Sequence, residues 1–216
     1  MHILFDLDGT LTDPKEGIIA CIRFALSTLE FEVDRNTQFE SFIGPPLHDS
    51  FQKLFRNDEL TKKAVEVFRK RYSSIGLFEN LVYDGIEECL ASMHEKGCSK
   101  FIVTSKPAVF ANRIIEHFKL KKYFKFVYGS NLDGSLADKT KLLEHVLESE
   151  KMAPHEAIMV GDRKFDVMGA KNHGIKAIGV SWGYGTEQEL QEAGADRICH
   201  HPSELYESIF QEMQSE

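Results

Sequence analysis

The chain has 216 residues, of which 42% are apolar, and its formal net charge is −8. This composition is typical of one globular core, or of a core with a smaller insertion, and argues against a disordered chain. Because phosphate groups repel an acidic surface, the charge also argues against a general binder of nucleic acid or anionic membranes.

The cysteines are spread along the chain without a Cys-x-x-Cys spacing, and they are Cys21, Cys89, Cys98 and Cys199. This spacing favours reduced thiols over a zinc site or a disulfide framework. No stretch approaches the roughly 20 apolar residues that span a bilayer, and the first strand begins at once, which leaves no room for a signal peptide. We therefore expect a cytoplasmic protein with no membrane and no nucleic-acid partner.

The first predicted strand ends in an acid pair. An apolar run from Ile3 to Phe5 predicts a short buried strand, and Asp6 and Asp8 follow it before the turn-former Gly9. Alternate residues of a strand share a face, so the two carboxylates repel unless a cation or a shared proton intervenes. We interpret the pair as an acid site that needs a metal. The alternative is a strand cap followed by an ordinary Asp-Gly turn.

The segment 15–81 contains no convincing alternating strand. Apolar residues recur at helical spacing from Ile18 to Leu29 and from Leu60 to Tyr72, which predicts two long helices. Between them, Gly44-Pro45-Pro46 cannot lie inside a helix, so it predicts a loop or a helix that starts at Leu47. We therefore predict that 15–81 is a helical domain inserted into a core formed by 1–14 and 82–216.

From Tyr83 onward, helix-like and strand-like segments alternate. Strands are predicted at 100–104, 125–128, 157–160, 177–180 and 195–199. Helices are predicted at 84–95, with Asp84 as its cap, and at 107–118, 139–150, 164–173 and 203–213. Such alternation is typical of βα units with right-handed crossovers and helices on both faces of the sheet. The predicted fold class is α/β, with a Rossmann-like parallel sheet as its core.

Three predicted strands end in polar residues, and ligands of parallel sheets collect at such carboxyl ends. One strand ends at Asp6 and Asp8, one at Thr104-Ser105, and one at Asp162, with Asp166 one helical turn later. If these strands are neighbours, up to four carboxylates converge. Only a hard cation bound through oxygen makes such a cluster tolerable, and Mg²⁺ is the expected cofactor.

Two of these strand ends also have a structural interpretation. Thr104-Ser105 before Pro107 is typical of a helix cap with proline in the first turn, and Gly161-Asp162 can also be a cap. A cap at Gly161-Asp162 does not explain why Asp166 follows one turn later on the same helical face. The carboxylates are therefore specific only in combination.

Four motifs, in this order, resemble those of the haloacid dehalogenase superfamily. They are Asp6-Leu7-Asp8-Gly9-Thr10-Leu11, the apolar strand into Thr104, a lysine upstream of a helix, and Gly161-Asp162-Arg163-Lys164-Phe165-Asp166. The helical insertion lies where that superfamily carries its helical cap, between the first and second motifs. The chain is most similar to the phosphoglycolate-phosphatase-like branch, which Val180-Ser181-Trp182-Gly183-Tyr184-Gly185 also resembles.

The resemblance implies different roles for the carboxylates of the first motif. Asp6 matches the nucleophile that attacks phosphorus and forms an aspartyl-phosphate, and Asp8 matches the general acid and base. The phosphatases of the superfamily carry an aspartate at the position that Asp8 matches, and its dehalogenases do not, so the resemblance implies a phosphatase. Gly9 and Thr10, in the same motif, are expected to bind the phosphate.

The resemblance also implies a phosphate clamp and a catalytic lysine. Thr104 matches the hydroxyl that binds the transferring phosphoryl group, helped by the Ser105 backbone N–H at a helix N-terminus. Lys139 matches the lysine that neutralises the phosphate and the nucleophile, with Lys106 and Lys141 as competitors. We favour Lys139 because it opens a predicted helix after a loop.

The implied metal ligands are Asp162, Asp6 and the backbone carbonyl of Asp8, with Asp166 orienting a metal-bound water. Substrate choice is expected to depend on the helical cap. There, the Gly44-Pro45-Pro46-Leu47 loop and His48 are candidates for touching the leaving group. A helix connection without ligand contact is the alternative.

These observations predict a cytoplasmic, Mg²⁺-dependent phosphoric monoester hydrolase for a small phosphorylated metabolite, with phosphoglycolate as the leading example. The expected assembly is a monomer or a homodimer. A nucleotidase or a sugar phosphomutase of the same superfamily is one alternative. A phosphorylated receiver-like signalling domain is the alternative from another class, since receiver modules also place an acid cluster, a threonine and a lysine at strand ends.

Overall fold

The computed structural model describes residues 1–34 and 36–214. The strands are β1 (His2–Phe5), β2 (Thr12–Asp13), β3 (Leu81–Val82), β4 (Ser99–Pro107), β5 (Phe126–Ser130), β6 (Ala157–Gly161), β7 (Lys176–Val180) and β8 (Arg197–Cys199). The α-helices are α1 (Lys15–Thr28), α2 (Leu47–Phe55), α3 (Asp58–Arg71), α4 (Ile86–Glu95), α5 (Ala108–His117), α6 (Lys139–Glu150), α7 (Lys164–Asn172), α8 (Glu187–Glu192) and α9 (Pro202–Gln214).

Strand β1 lies inside a six-stranded parallel sheet with the order β5-β4-β1-β6-β7-β8. It pairs with β4 on one side and β6 on the other, so that Phe5 lies opposite both Ile102 and Val160. The order of connection reverses at β1, and the carboxyl ends of β1, β4 and β6 meet where sheets of this type bind ligands. The predicted α/β fold class is confirmed.

The side chains of β1 alternate between two buried cores. Ile3 and Phe5 share one core with Ile114 of α5, whereas Leu4 shares the other with Leu143 of α6. All three β1 side chains are fully buried. Because helices cover both faces of the sheet, a central strand needs apolar residues at successive positions, which explains the continuous apolar run in the sequence.

The helical segment between β2 and β3 contains α1, α2 and α3, and its described residues form no strand. Helices α1 and α3 correspond to the two predicted long helices, and α2 begins at Leu47, directly after Pro46. The short strands β2 and β3 pair antiparallel, with Asp13 opposite Leu81. The chain enters the helical segment after β2 and leaves it at β3. The division of the chain into a core and a cap domain stays a prediction.

Three local features differ from the sequence predictions. Helix α4 is capped by Gly85 and not by Asp84, because Gly85 takes a φ of 85° immediately before the helix. Pro107 is the last residue of β4 and not a helical residue, since the pairing register shifts between Thr104 and Pro107. The six-residue α8 was not predicted, because so short a helix carries little periodicity.

Within residues 1–34 and 36–214, none of the helices combines the length and apolarity needed to cross a membrane. The described cysteines are all free thiols; Cys21, Cys89 and Cys199 are buried and Cys98 is partly exposed. Burial raises the pKa of Cys89 to about 12. Such a thiol stays protonated at neutral pH and acts as a small apolar side chain.

Candidate active site

The ends of β1, β4 and β6 bring most of the predicted site residues together. Asp6 and Asp8 follow β1, Thr104 lies in β4 and Asp162 follows β6. Lys139, the first residue of α6, reaches the same place, and all five residues are at most 8% exposed. The site is therefore a buried cluster of charges at the carboxyl edge of the sheet.

Three carboxylates form an acidic triad. One oxygen each from Asp6, Asp162 and Asp166 lies within 4.8 Å of the others. The Oδ1 atoms of Asp6 and Asp166 are buried, and among the described residues Lys139 is their ion-pair partner. Lys139 Nζ lies at ion-pair distance, 3.2 Å from Asp6 Oδ1 and 2.7 Å from Asp166 Oδ1. One ammonium group thus pairs with two of the three carboxylates.

Burial and mutual repulsion disfavour the ionised triad. Burial raises the pKa of Asp166 to about 6, although Lys139 opposes this shift. Burial, with the charges of Asp166 and Asp6, raises the pKa of Asp162 well above its usual value. For Lys139, burial alone lowers the pKa, but Asp166 and Asp6 outweigh it and the pKa is raised. Three carboxylates beside one ammonium group leave a surplus of negative charge, which fits a hard divalent cation.

Asp162 is held by the turn after β1 and by the loop after β7. Thr10 Oγ1 donates to Asp162 Oδ1 at 3.3 Å, and the backbone N–H of Tyr184 donates to Asp162 Oδ2 at 2.8 Å. Gly9 has a φ of 82°, and a Cβ there would lie 2.2 Å from Asp162 Oδ2. The hydroxyl of Thr10, predicted to bind phosphate, therefore hydrogen-bonds to Asp162 in this structure.

Gly9→Ala is expected to lower the free energy of unfolding by about 3 kcal/mol, because left-handed backbone strain adds to the clash with Asp162. Gly97→Ala is the matched control: Gly97 has a φ of 73°, and no described atom lies within 4 Å of an added Cβ. It should cost only the backbone strain, about 1 kcal/mol. Urea unfolding of both variants measures the difference, and equal losses would contradict the close packing of Gly9 on Asp162.

A second lysine, Lys106, is the ion-pair partner of Asp8. Lys106 Nζ lies 2.7 Å from Asp8 Oδ1 and 2.6 Å from Oδ2, and it donates to the Tyr72 hydroxyl at 2.6 Å. Burial raises the pKa of Asp8, and Lys106 opposes the shift. Burial alone lowers the pKa of Lys106, but Asp8 and Tyr72 outweigh it and the pKa is raised. Asp8 is therefore a buried acid with a cationic partner.

The lysines considered from the sequence thus have different places. Lys139 is paired with Asp6, and Lys106 is paired with Asp8. Lys141 is exposed, and the bond of its backbone N–H to Asp138 belongs to the cap of α6. The geometry favours Lys139 as the partner of Asp6, and it gives Lys106 a separate partner that the sequence analysis did not predict.

The predicted phosphate clamp lies where the pairing register of β4 shifts, between Thr104 and Pro107. Thr104 Oγ1 accepts a hydrogen bond from the backbone N–H of Lys106 at 3.3 Å, and the Ser105 carbonyl accepts one from Ser130 Oγ at 2.8 Å. Thr104, Ser105 and Lys106 all line one cavity with Asp6 and Asp8. The second motif therefore faces the same space as the first.

The cavity over Asp6 and Asp8 has a volume of about 120 Å³, and the helical segment forms much of its wall. The stretch from Gly44 to His48 lines it, together with Arg69. Its aromatic lining residues are Phe42, Phe68, Tyr72 and Phe110. The loop and histidine considered for the leaving group are thus at the cavity, and their contact with a substrate stays a prediction.

Two further residues near the site, Arg163 and Tyr184, make contacts that the sequence analysis did not predict. Arg163 donates through Nη1 to the Ile43 carbonyl at 2.6 Å and through Nε to Glu189 at 3.0 Å, which ties the helical segment to the core. Tyr184 lies between Gly183 and Gly185, whose added Cβ atoms would lie 2.4 Å and 2.0 Å from atoms of Asp162. The paired glycines are the signal in the sequence from which this close approach could have been predicted.

Fold and site together define an α/β enzyme with a buried acidic triad and two aspartate-paired lysines at the carboxyl edge of its sheet. Residues 3–180 match the family described as haloacid dehalogenase-like hydrolase. The chain belongs to this family, and the predicted resemblance is confirmed.

Individual relatives cover nearly the whole chain. A 5'-nucleotidase of Pseudomonas aeruginosa is 43% identical over 92% of this chain and 90% of that protein. The tyrosine-protein kinase PtkA of Mycobacterium tuberculosis is 34% identical over 92% of this chain and 68% of that protein. A phosphoglycolate phosphatase of Vibrio parahaemolyticus is 26% identical over 96% of this chain and 95% of that protein.

A solved structure agrees with this fold over its full length. The crystal structure of a predicted phosphatase from Clostridium acetobutylicum has a TM-score of 0.93 at 40% identity, covering 97% of this chain and 98% of that chain. The predicted enzyme class, a phosphoric monoester hydrolase, agrees with the phosphatase and nucleotidase names among these proteins.

Proposed function

We propose that the protein is a Mg²⁺-dependent phosphatase that hydrolyses small phosphomonoesters through an aspartyl-phosphate on Asp6. The observation that carries this proposal is the division of the two lysines between two aspartates of one cavity. Asp6 belongs to the acidic triad and pairs with Lys139, whereas Asp8 pairs with Lys106. Two carboxylates with different neighbours can take different roles, one as nucleophile and one as acid and base.

In the first step, an oxygen of Asp6 attacks phosphorus in line with the ester oxygen. A bond forms between this oxygen and phosphorus as the bond from phosphorus to the leaving alkoxide breaks. Asp8, in its protonated form, gives its proton to the alkoxide. The burial that raises the pKa of Asp8 favours this form. Lys139, beside Asp6, offsets negative charge at the nucleophile.

In the second step, water attacks the phosphorus of the aspartyl-phosphate. Asp8, now ionised, accepts a proton from this water, and the bond between phosphorus and Asp6 breaks. Inorganic phosphate leaves, and the Asp6 carboxylate is regenerated. Thr104 and Ser105 line the cavity where they can hold the phosphoryl oxygens through both steps. Ser105 does so from within β4 and not from the helix N-terminus that the sequence predicted, since α5 begins only at Ala108.

Asp6, Asp162, Asp166 and the backbone carbonyl of Asp8 are the groups that would hold Mg²⁺. The buried carboxylates of Asp6, Asp162 and Asp166, which each place one oxygen within 4.8 Å of the others, support this assignment. When bound, the ion neutralises charge on the transferring phosphoryl group. In this proposal, Gly9 and Thr10 bind the phosphate only through their backbone atoms, because the Thr10 hydroxyl already donates to Asp162.

A 5'-nucleotidase activity is the second candidate, and the aromatic wall of the cavity favours it. Phe42, Phe68, Tyr72 and Phe110 line this wall, and aromatic rings stack on nucleobases. Phosphoglycolate stays a candidate because Arg69 and His48, which also line the cavity, can face a carboxylate. A cytoplasmic location and a monomeric or homodimeric state are part of the same proposal.

A panel of phosphate esters tests the proposal. Inorganic phosphate release is measured from nucleoside monophosphates, phosphoglycolate, sugar phosphates and phosphotyrosine, with Mg²⁺ and with EDTA. We expect release that EDTA abolishes and added Mg²⁺ restores. Release that is indifferent to EDTA would contradict the metal, and a phosphorylated acceptor without phosphate release would favour a phosphomutase or kinase.

A further inference from the structure

The loop after β7 contacts both the acidic triad and the turn after β1. A Cβ added to Gly183 would lie 2.3 Å from the Gly9 carbonyl oxygen, and one added to Gly185 would lie 2.0 Å from the Asp162 carbonyl oxygen. Trp182 Nε1 donates to the Thr10 carbonyl at 3.0 Å. A loop packed this closely cannot shift without moving Asp162 or the β1 turn.

Tyr184, in this loop, makes hydrogen bonds in two directions. Its backbone N–H donates to Asp162 Oδ2 at 2.8 Å, which fixes one oxygen of the carboxylate. Its hydroxyl donates to Asp13 Oδ1, a contact between residues 171 positions apart. One residue therefore connects a triad carboxylate with β2.

Asp13 lies at the entry to the helical segment. It pairs with Leu81 of β3 at the exit of that segment, and its Oδ1 also accepts from the backbone N–H of Lys15, the first residue of α1, at 3.0 Å. The chain enters and leaves the helical segment through β2 and β3, which pair at this point. The Tyr184 hydroxyl thus contacts the junction between the helical segment and the sheet.

We propose that Tyr184 is a positioning residue that links the orientation of Asp162 to the β2–β3 junction of the helical segment. The proposal rests on the metal site of the proposed function. Its consequence is that removing a hydroxyl from the junction weakens binding of a divalent cation, although the backbone bond to Asp162 is retained. Mutation of the residues that orient metal ligands commonly lowers metal affinity by about 10–100-fold.

The test compares Tyr184→Phe with Tyr128→Phe as its matched control. Tyr128 also donates to a carboxylate, Glu150, at 2.7 Å, but on the far edge strand β5. Binding of Mn²⁺, which accepts the same oxygen ligands, is measured from the spin-resonance signal of the free ion. We expect the Mn²⁺ dissociation constant to rise about tenfold in Tyr184→Phe and to stay unchanged in Tyr128→Phe.

A double-mutant cycle separates the link from a local effect. Asp13→Ala should also weaken Mn²⁺ binding, and the double variant Asp13→Ala, Tyr184→Phe should lose less affinity than the two single losses combined, because the two changes share the bond between Tyr184 and Asp13. Additive losses, or equal Mn²⁺ affinities in Tyr184→Phe and Tyr128→Phe, would overturn the inference. An unaltered protein that binds no Mn²⁺ would overturn the metal site itself and the inference with it.

Discussion

Asp6→Asn is expected to reduce hydrolysis of p-nitrophenyl phosphate to the background rate, a loss on the order of 10⁶. An amide is a poor nucleophile at phosphorus. Neither of the other triad carboxylates is free to replace it, because Asp162 accepts bonds from Thr10 and Tyr184, and Asp166 accepts one from the Arg163 backbone N–H and pairs with Lys139. The change is nearly isosteric and removes one of three repelling charges. We therefore expect the variant to stay folded.

The matched control for this prediction is Asp84→Asn, the same chemical change at an exposed position away from the cavity. It should retain full activity. Circular dichroism and urea unfolding of both variants separate lost chemistry from lost structure. Full activity in a folded Asp6→Asn protein would contradict the assignment of the nucleophile.

Asp8→Asn is expected to lower kcat/KM by about 10²–10⁴, the range for loss of a general acid or base. Asparagine cannot give a proton to the leaving alkoxide. It also loses the charge that pairs with Lys106 at 2.6 Å. Steady-state kinetics measure the loss, and folding is checked by circular dichroism as for Asp6→Asn.

The leaving group provides an internal control for Asp8. p-Nitrophenolate leaves without much help from an acid, whereas the alkoxide of glycerol phosphate needs a proton. The loss of kcat/KM in Asp8→Asn should therefore be larger for glycerol phosphate than for p-nitrophenyl phosphate. Equal losses for both esters would show that Asp8 does not act as the acid of the first step.

Local sequence patterns predicted the elements that carry the site. Helix α6 begins at Lys139 and ends at Glu150 as predicted, because Asp138 caps it by accepting from the Lys141 backbone N–H. The run from Ile3 to Phe5 forms the predicted strand with one further residue, His2. In both cases the deciding interactions lie within a few residues, so they are visible in the sequence.

Contacts between distant residues were not predictable in the same way. Lys106 and Asp8 lie 98 positions apart, and Tyr184 and Asp13 lie 171 apart. Both pairs depend on the sheet order and on the path of the helical segment. The paired strands β2 and β3 were not predicted either, because strands of two residues carry no periodicity.

Trapping of the phosphoenzyme tests the central claim, an aspartyl-phosphate on Asp6, most directly. The protein is mixed with p-nitrophenyl phosphate and Mg²⁺, quenched in acid within one turnover, digested and analysed by mass spectrometry. We expect the mass of one phosphoryl group on the peptide that contains Asp6, and a larger fraction in Asp8→Asn, where the second step is also slowed. Phosphate release at the full rate without phosphoryl mass on this peptide in either protein would contradict the mechanism.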